Sequence, residues 1–151
     1  MTPMTSSLTP SKIGNMKQYA LPKDWNWETE SILAIEPGEY ILTFENILRE
    51  GEDDIDGEEM LRRAVADGID GSLQHALWLL ENQYRIPKEF RGERYLVFPK
   101  AVALDSRQSR RVLCLYWDGL RWGLYWSWLT RNFFDRSDLV VRARKSPPKA
   151  A

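Results

Sequence analysis

Arg110-Arg111-Val112-Leu113-Cys114-Leu115-Tyr116-Trp117-Asp118-Gly119-Leu120-Arg121-Trp122-Gly123-Leu124-Tyr125-Trp126-Ser127-Trp128 is the stretch on which the fold turns. Two apolar-rich runs flank an Asp-Gly pair, the strongest short-range signal for a two-residue β-hairpin. With Asp118 and Gly119 as the central turn residues, Trp117 pairs with Leu120, Leu115 with Trp122, Leu113 with Leu124 and Arg111 with Trp126. Strand residues of one parity share a face. Leu113, Leu115, Trp117, Leu120, Trp122, Leu124 and Trp126 therefore form a core face. A four-residue turn over 105–108 adds Leu96, Phe98, Val102 and Leu104 from the preceding strand. Lys100 alone is out of character there, and Pro99 beside it marks a bulge or an edge. Four of the seven tryptophans lie in the quoted stretch. Each buried Trp removes roughly 150–250 Å² from water, worth on the order of 4–6 kcal/mol as an upper bound. Their abundance argues for stability before it argues for a ligand.

The other face carries Arg110, Val112, Cys114 and Tyr116 on one strand and Arg121, Gly123, Tyr125 and Ser127 on the next. In this register Tyr116 faces Arg121 and Val112 faces Tyr125. Tyr and Arg are enriched at binding hot spots. Arg110, Tyr116, Arg121 and Tyr125 are thus the candidate binding residues, if no helix covers them.

Working outward, strands are expected over 95–104, 109–117, 120–129 and 139–142. Leu61, Ala64 and Val65 line one face of a helix over 58–67, with acidic residues in its first turn, where the helix dipole favours them. Ser72 caps a second helix over 72–86, whose buried stripe is Leu73, Ala76, Leu77, Leu80 and Tyr84. Trp78 and Leu79 widen that stripe, so this helix is covered on more than one side. Residues 40–44 read as a strand or as the opening of a helix to Arg49; the strand is favoured. The apolar run Ser31–Ile35 stops at Pro37-Gly38. Helices followed by a meander of strands indicate α+β, with a small antiparallel sheet of three to four strands over 95–142 packed with two helices. Residues 1–23 read as a flexible lead, 24–145 as one domain and 146–151 as a disordered tail.

The 151 residues are 43% hydrophobic and 28% charged, ordinary for a globular domain. No apolar run reaches membrane-helix length, and Met1 to Tyr19 lacks a secretory apolar core. The single cysteine excludes an internal disulfide and a Cys-based zinc site. The expected location is the cytoplasm. Charge is lopsided: residues 1–75 carry 6 Lys/Arg against 15 Asp/Glu, and residues 76–151 carry 15 against 7. Either the basic half meets an acidic partner, or the two halves pack together and neutralise each other.

Chemical motifs are weak. Glu52, Asp54 and Asp56 before Gly57 resemble the start of a calcium loop, but the twelfth position, which needs a bidentate carboxylate, is Arg63. A solvated acidic turn is the expectation. Residues 64–69 resemble the turn of a DNA-binding helix-turn-helix. The helix that follows has one Arg, at its far end, whereas phosphate binding needs cations. A plain helical hairpin is expected instead. His75 is the only histidine, and Cys114 is expected mid-strand, a small apolar filler. No phosphate loop, dinucleotide fingerprint, nucleophile elbow or zinc-protease motif is present. No catalytic residue, cofactor or metal site is assigned.

Tyr95-Leu96-Val97-Phe98-Pro99, Leu104-Asp105-Ser106, Leu115-Tyr116-Trp117-Asp118-Gly119, Arg121-Trp122 and Trp128-Leu129 together resemble the C-terminal part of an uncharacterised group of small bacterial proteins. That resemblance covers about a quarter of the chain. It implies a recurring small β module and no mechanism. The functional expectation is a non-catalytic binding module whose partner is another protein or a second copy. The runner-up is single-stranded nucleic acid, held by Arg110, Tyr116, Arg121 and Tyr125 with Arg142, Arg144 and Lys145. An unrecognised enzyme is the third reading.

Overall fold

The hairpin forms, with a longer turn than its Asp-Gly pair implies. In the computed structural model, which describes residues 21–28, 40–130 and 133–145, strands β1 (Asn26–Trp27), β2 (Tyr40–Glu45) and β3 (Ile55–Asp56) precede helices α1 (Gly57–Ala66) and α2 (Leu73–Glu81). Strands β4 (Tyr95–Leu104), β5 (Arg110–Trp117), β6 (Trp122–Trp128), β7 (Phe133–Phe134) and β8 (Asp138–Lys145) follow. The run Ser31–Ile35, most of the expected lead and the tail over 146–151 lie outside the described residues.

The turn between β5 and β6 has four residues, Asp118 to Arg121. Asp118 Oδ1 accepts the N–H groups of Leu120 and Arg121, and the Asp118 N–H donates to the Arg121 carbonyl. Trp117 therefore pairs with Trp122, Leu115 with Leu124, Leu113 with Trp126 and Arg111 with Trp128. The register moves by two residues, so parity is preserved. Leu113, Leu115 and Trp122 are buried, and Trp117, Leu124 and Trp126 pack partly buried against them. Leu120 leaves the core for the turn and is 87% exposed.

The β4–β5 ladder breaks between Phe98 and Val102, where Pro99, Lys100 and Ala101 bulge. Three extra residues invert parity. Val102 consequently packs with Val97, Val112 and Cys114 on the other face, and Leu104 pairs with Arg110, both against the expected core face. The bulge accommodates a crossing chain. The Lys100 N–H donates to the Gly71 carbonyl, and the Gly71 N–H donates to the Val141 carbonyl. The link between α1 and α2 thus passes between β4 and β8.

That crossing sends the two helices to opposite faces. α2 packs with Leu96, Phe98, Leu113, Leu115 and Trp122, while Met60 and Ala64 of α1 pack with Val97, Val112 and Cys114. The helical hairpin expected over this region is not formed, and neither is a helix-turn-helix. α2 is also shorter than expected: Asn82 ends it, a 3₁₀ turn follows over Gln83–Arg85, and Tyr84 is 76% exposed.

The architecture is α+β, with a six-stranded sheet in place of the three or four strands expected. Its order is β2-β8-β4-β5-β6, with β1 also pairing with β4. β8 returns to the far side of β4 and runs parallel to it, so it does not extend the meander. β3 and β7 form a separate two-stranded ribbon. Among the described residues, no helix is long and apolar enough to cross a membrane.

Candidate functional site

Register decides which side chains of the α1 face meet. Leu96 pairs with Leu115, so Tyr95 of β4 lies across from Tyr116 of β5; Tyr116 pairs with Gly123, and Cys114 with Tyr125 of β6. Three tyrosines from three adjacent strands gather at the end of the face that α1 leaves open. The Tyr95 and Tyr116 rings stack with centroids 4.4 Å apart and planes at 17°, and Tyr125 leans on Tyr95 at 5.8 Å. Tyr125 is 45% exposed. Among the described residues the three hydroxyls make no hydrogen bond. Each is left to donate or accept outward.

Buried Cys114 and half-buried Asp138 adjoin the tyrosines. Burial pushes the Cys114 thiol up, with the nearby Asp138 carboxylate adding to it. Asp138 is itself raised to about 6, chiefly by burial, while Asp135 beside it contributes in both directions. Its Oδ2 accepts the Asp135 N–H at 2.9 Å. Burial, then the neighbouring phenols and Asp138, raises the Tyr95 hydroxyl.

The four expected binding residues do not form one face. Tyr116 and Tyr125 share the corner. Arg121 lies in the turn that opens β6 and is exposed. Arg110 lies six residues up β5 from Tyr116, about 20 Å away, where it pairs with Glu28 (2.8 Å) and Glu58. Tyr95, which is not among the expected residues, completes the corner. It precedes Leu96, so alternation alone would have assigned it to the tyrosine face. Arg142, invoked for nucleic-acid binding, pairs with Glu45 and donates to the Asp67 carbonyl.

The remaining expectations resolve structurally. Arg63, at the position where a calcium loop needs its last carboxylate, grips Glu52 with two bonds of 2.7 Å. It also binds Glu59 and the Ile47 carbonyl. The arginine does the neutralising that a cation would do, and it holds the Glu52 carboxyl down at about 2. The Ser72 N–H donates to His75 Nδ1 at 3.1 Å, so the histidine helps start α2. It lies on the face opposite Cys114, and the two form no pair. A cleft of about 270 Å³ runs between α1 and residues 45–49. Its Arg63 and Glu45 are both engaged in ion pairs. Arg111 is held between the Trp25 and Trp128 rings and pairs with Asp105, closing one end of the opposite face. Among the described residues, no group of three or more His, Cys, Asp or Glu could hold a metal ion.

Comparison of the chain with known protein families, curated proteins and solved structures gave no match.

Proposed function

We propose that this chain is a non-catalytic interaction module whose partner is another protein, engaged through Tyr95, Tyr116 and Tyr125. The observation carrying this reading is the corner itself: three clustered phenols with unengaged hydroxyls, on an otherwise covered sheet face. Clustered tyrosines on a rigid sheet supply apolar area and hydrogen-bonding groups at low entropic cost, as interface hot spots do. Single-stranded nucleic acid fits less well. A stacking platform presents ring faces to successive bases, whereas Tyr95 and Tyr116 are stacked on each other. Arg110 and Arg142, which that reading needs, are neutralised by glutamates.

The test is site-specific photocrosslinking in living cells, with a photoreactive residue at position 125 and, as control, at exposed position 107. The expected result is a discrete protein adduct from position 125, absent at 107 and lost in Tyr95→Ala/Tyr116→Ala. Equal labelling at both positions, or nucleic acid in the adduct, would overturn the reading.

A further inference from the structure

The cleft between α1 and residues 45–49 shares no residue with the tyrosine corner. Its volume, about 270 Å³, falls just under the range of about 300–1,000 Å³ that holds drug-sized ligands, so it suits a smaller molecule. Ile47, Leu48, Ala66 and Ile69 give it an apolar lining. Ile47 and Leu48 pack partly buried against the core, and Ile69 is buried within it. The Ile47 N–H and the Leu48 carbonyl make no hydrogen bond among the described residues, which leaves one backbone donor and one acceptor for a ligand.

Four charged residues line the cleft, two of each sign: Glu45, Arg49, Arg63 and Asp67. Two are engaged. Glu45 pairs with Arg142, and buried Arg63 pairs with Glu52 and Glu59. Arg49 and Asp67 stand exposed at the rim and, among the described residues, form no ion pair or side-chain hydrogen bond. Arg49 acts on Glu52 at longer range and more weakly than Arg63 does, and Asp67 acts on Arg142 more weakly than Glu45 does. The two stand at opposite ends. The Arg49 N–H donates to Glu52, which Arg63 grips. The Asp67 carbonyl accepts from Arg142, which grips Glu45. One turn of α1, from Arg63 to its cap Asp67, sets these ends about 6 Å apart.

We infer that the cleft binds a free α-amino acid, with its carboxylate on Arg49, its ammonium on Asp67 and an apolar side chain against Ile47, Leu48, Ala66 and Ile69. A cleft that is neutral in sum, with an unengaged cation at one end and an unengaged anion at the other, is complementary to a zwitterion. A ligand of one sign would set its charge against one of the two and leave the other unmatched. Amino acids are the smallest molecules that join a carboxylate, an ammonium and an apolar body. The inference goes beyond the protein-binding reading and does not rest on it.

The experiment records amide NMR spectra of the isotopically labelled full chain against each of the protein amino acids and γ-aminobutyrate, then against the N-acetyl and amide forms of those that bind. At least one apolar amino acid should give saturable shifts at the amides of Ile47, Leu48 and Asp67, weakening as salt rises. N-acetylation removes the ammonium and amidation the carboxylate, and each should weaken binding at least about tenfold. Arg49→Gln and Asp67→Asn should each do the same to the free amino acid. Both side chains are exposed, and the Asp67 N–H that closes α1 on the Arg63 carbonyl is kept, so both variants should fold. No saturable shift from any amino acid overturns the inference, as do capped forms that bind as tightly as the free one. Binding indifferent to both variants, or shifts confined to Tyr95, Tyr116 and Tyr125, overturns it too. Preference for γ-aminobutyrate, whose charges lie farther apart, overturns the α-amino acid. The crosslink from position 125 is unaffected by any of these results, so the protein-binding reading stands or falls separately.

Discussion

Buried His75 and half-buried Asp138 are titratable residues whose shifts oppose each other. Burial holds His75 at about 4, below its ordinary 6.5, with Asp70 acting weakly the other way. A depressed base contributes stability that is present above 6.5 and lost as pH falls towards 4. Asp138, raised from 3.8 to about 6, does the reverse. Its contribution is full below 3.8 and lost as pH rises through 6. Between pH 5 and 6.5 the two slopes largely cancel, so the urea midpoint of the wild type should stay nearly flat there; below about pH 5 the carboxylates held low by their partners, Glu52 among them, add a loss of their own. Asp138→Asn keeps an oxygen for the Asp135 N–H and removes one slope. The variant should gain about 1–2 kcal/mol near pH 7 and lose that gain on acidification to pH 4. A variant profile parallel to the wild type would show that Asp138 is not the group responsible. Neither shift is legible in the chain, because burial depends on what packs over a residue.

Element boundaries follow local chemistry closely, and element contacts do not. Asp56 Oδ1 accepts the Glu59 N–H and starts α1 one residue before the expected Glu58. The Asp-Gly pair correctly announces a hairpin, yet Asp118 spends its side chain on the two N–H groups that follow and lengthens the turn. Gly57 is explained only by its neighbour. A Cβ there would lie 2.1 Å from the Leu129 carbonyl oxygen, where α1 meets the end of β6. Alanine has the better intrinsic helix propensity by about 1 kcal/mol. Gly57→Ala should nevertheless destabilise by about 1–3 kcal/mol, because backbone must move to admit the methyl group. Equilibrium urea unfolding measures it, and a raised midpoint would mean that the close approach relaxes freely.

Across the whole molecule, the two oppositely charged halves of the chain are joined by ion pairs. Arg110 reaches back to Glu28 and Glu58, and Arg142 to Glu45. Part of the lopsided charge is therefore spent internally. The sheet order makes a prediction of its own. β4 and β5 have a strand on either side and a helix over each face, whereas β2 lies at one edge. Amide exchange should be slowest at Val97 and Cys114 and clearly faster at Thr43 of β2, read by hydrogen-exchange mass spectrometry. Comparable protection in β2 would contradict the edge position.

Side-chain alternation, turn residues and caps act over a few positions, so the class of fold, both helices, the hairpin and its core face could be read from the chain. Parity survived even where the register was two residues off, because a shift of two leaves every side chain on its own face. Distant contacts set the rest. The insertion of Gly71 between β4 and β8 inverted the face of Val102 and sent the helices to opposite sides. The return of β8 beside β4 brought Asp138 next to Tyr95. At the corner, Tyr116 and Tyr125 were legible as a face. The distance of Arg110 from Tyr116, six residues along one strand, was legible too. That α1 stops short of the corner and that the Tyr95 ring lies on Tyr116 are matters of packing, which acts between residues that no local pattern connects.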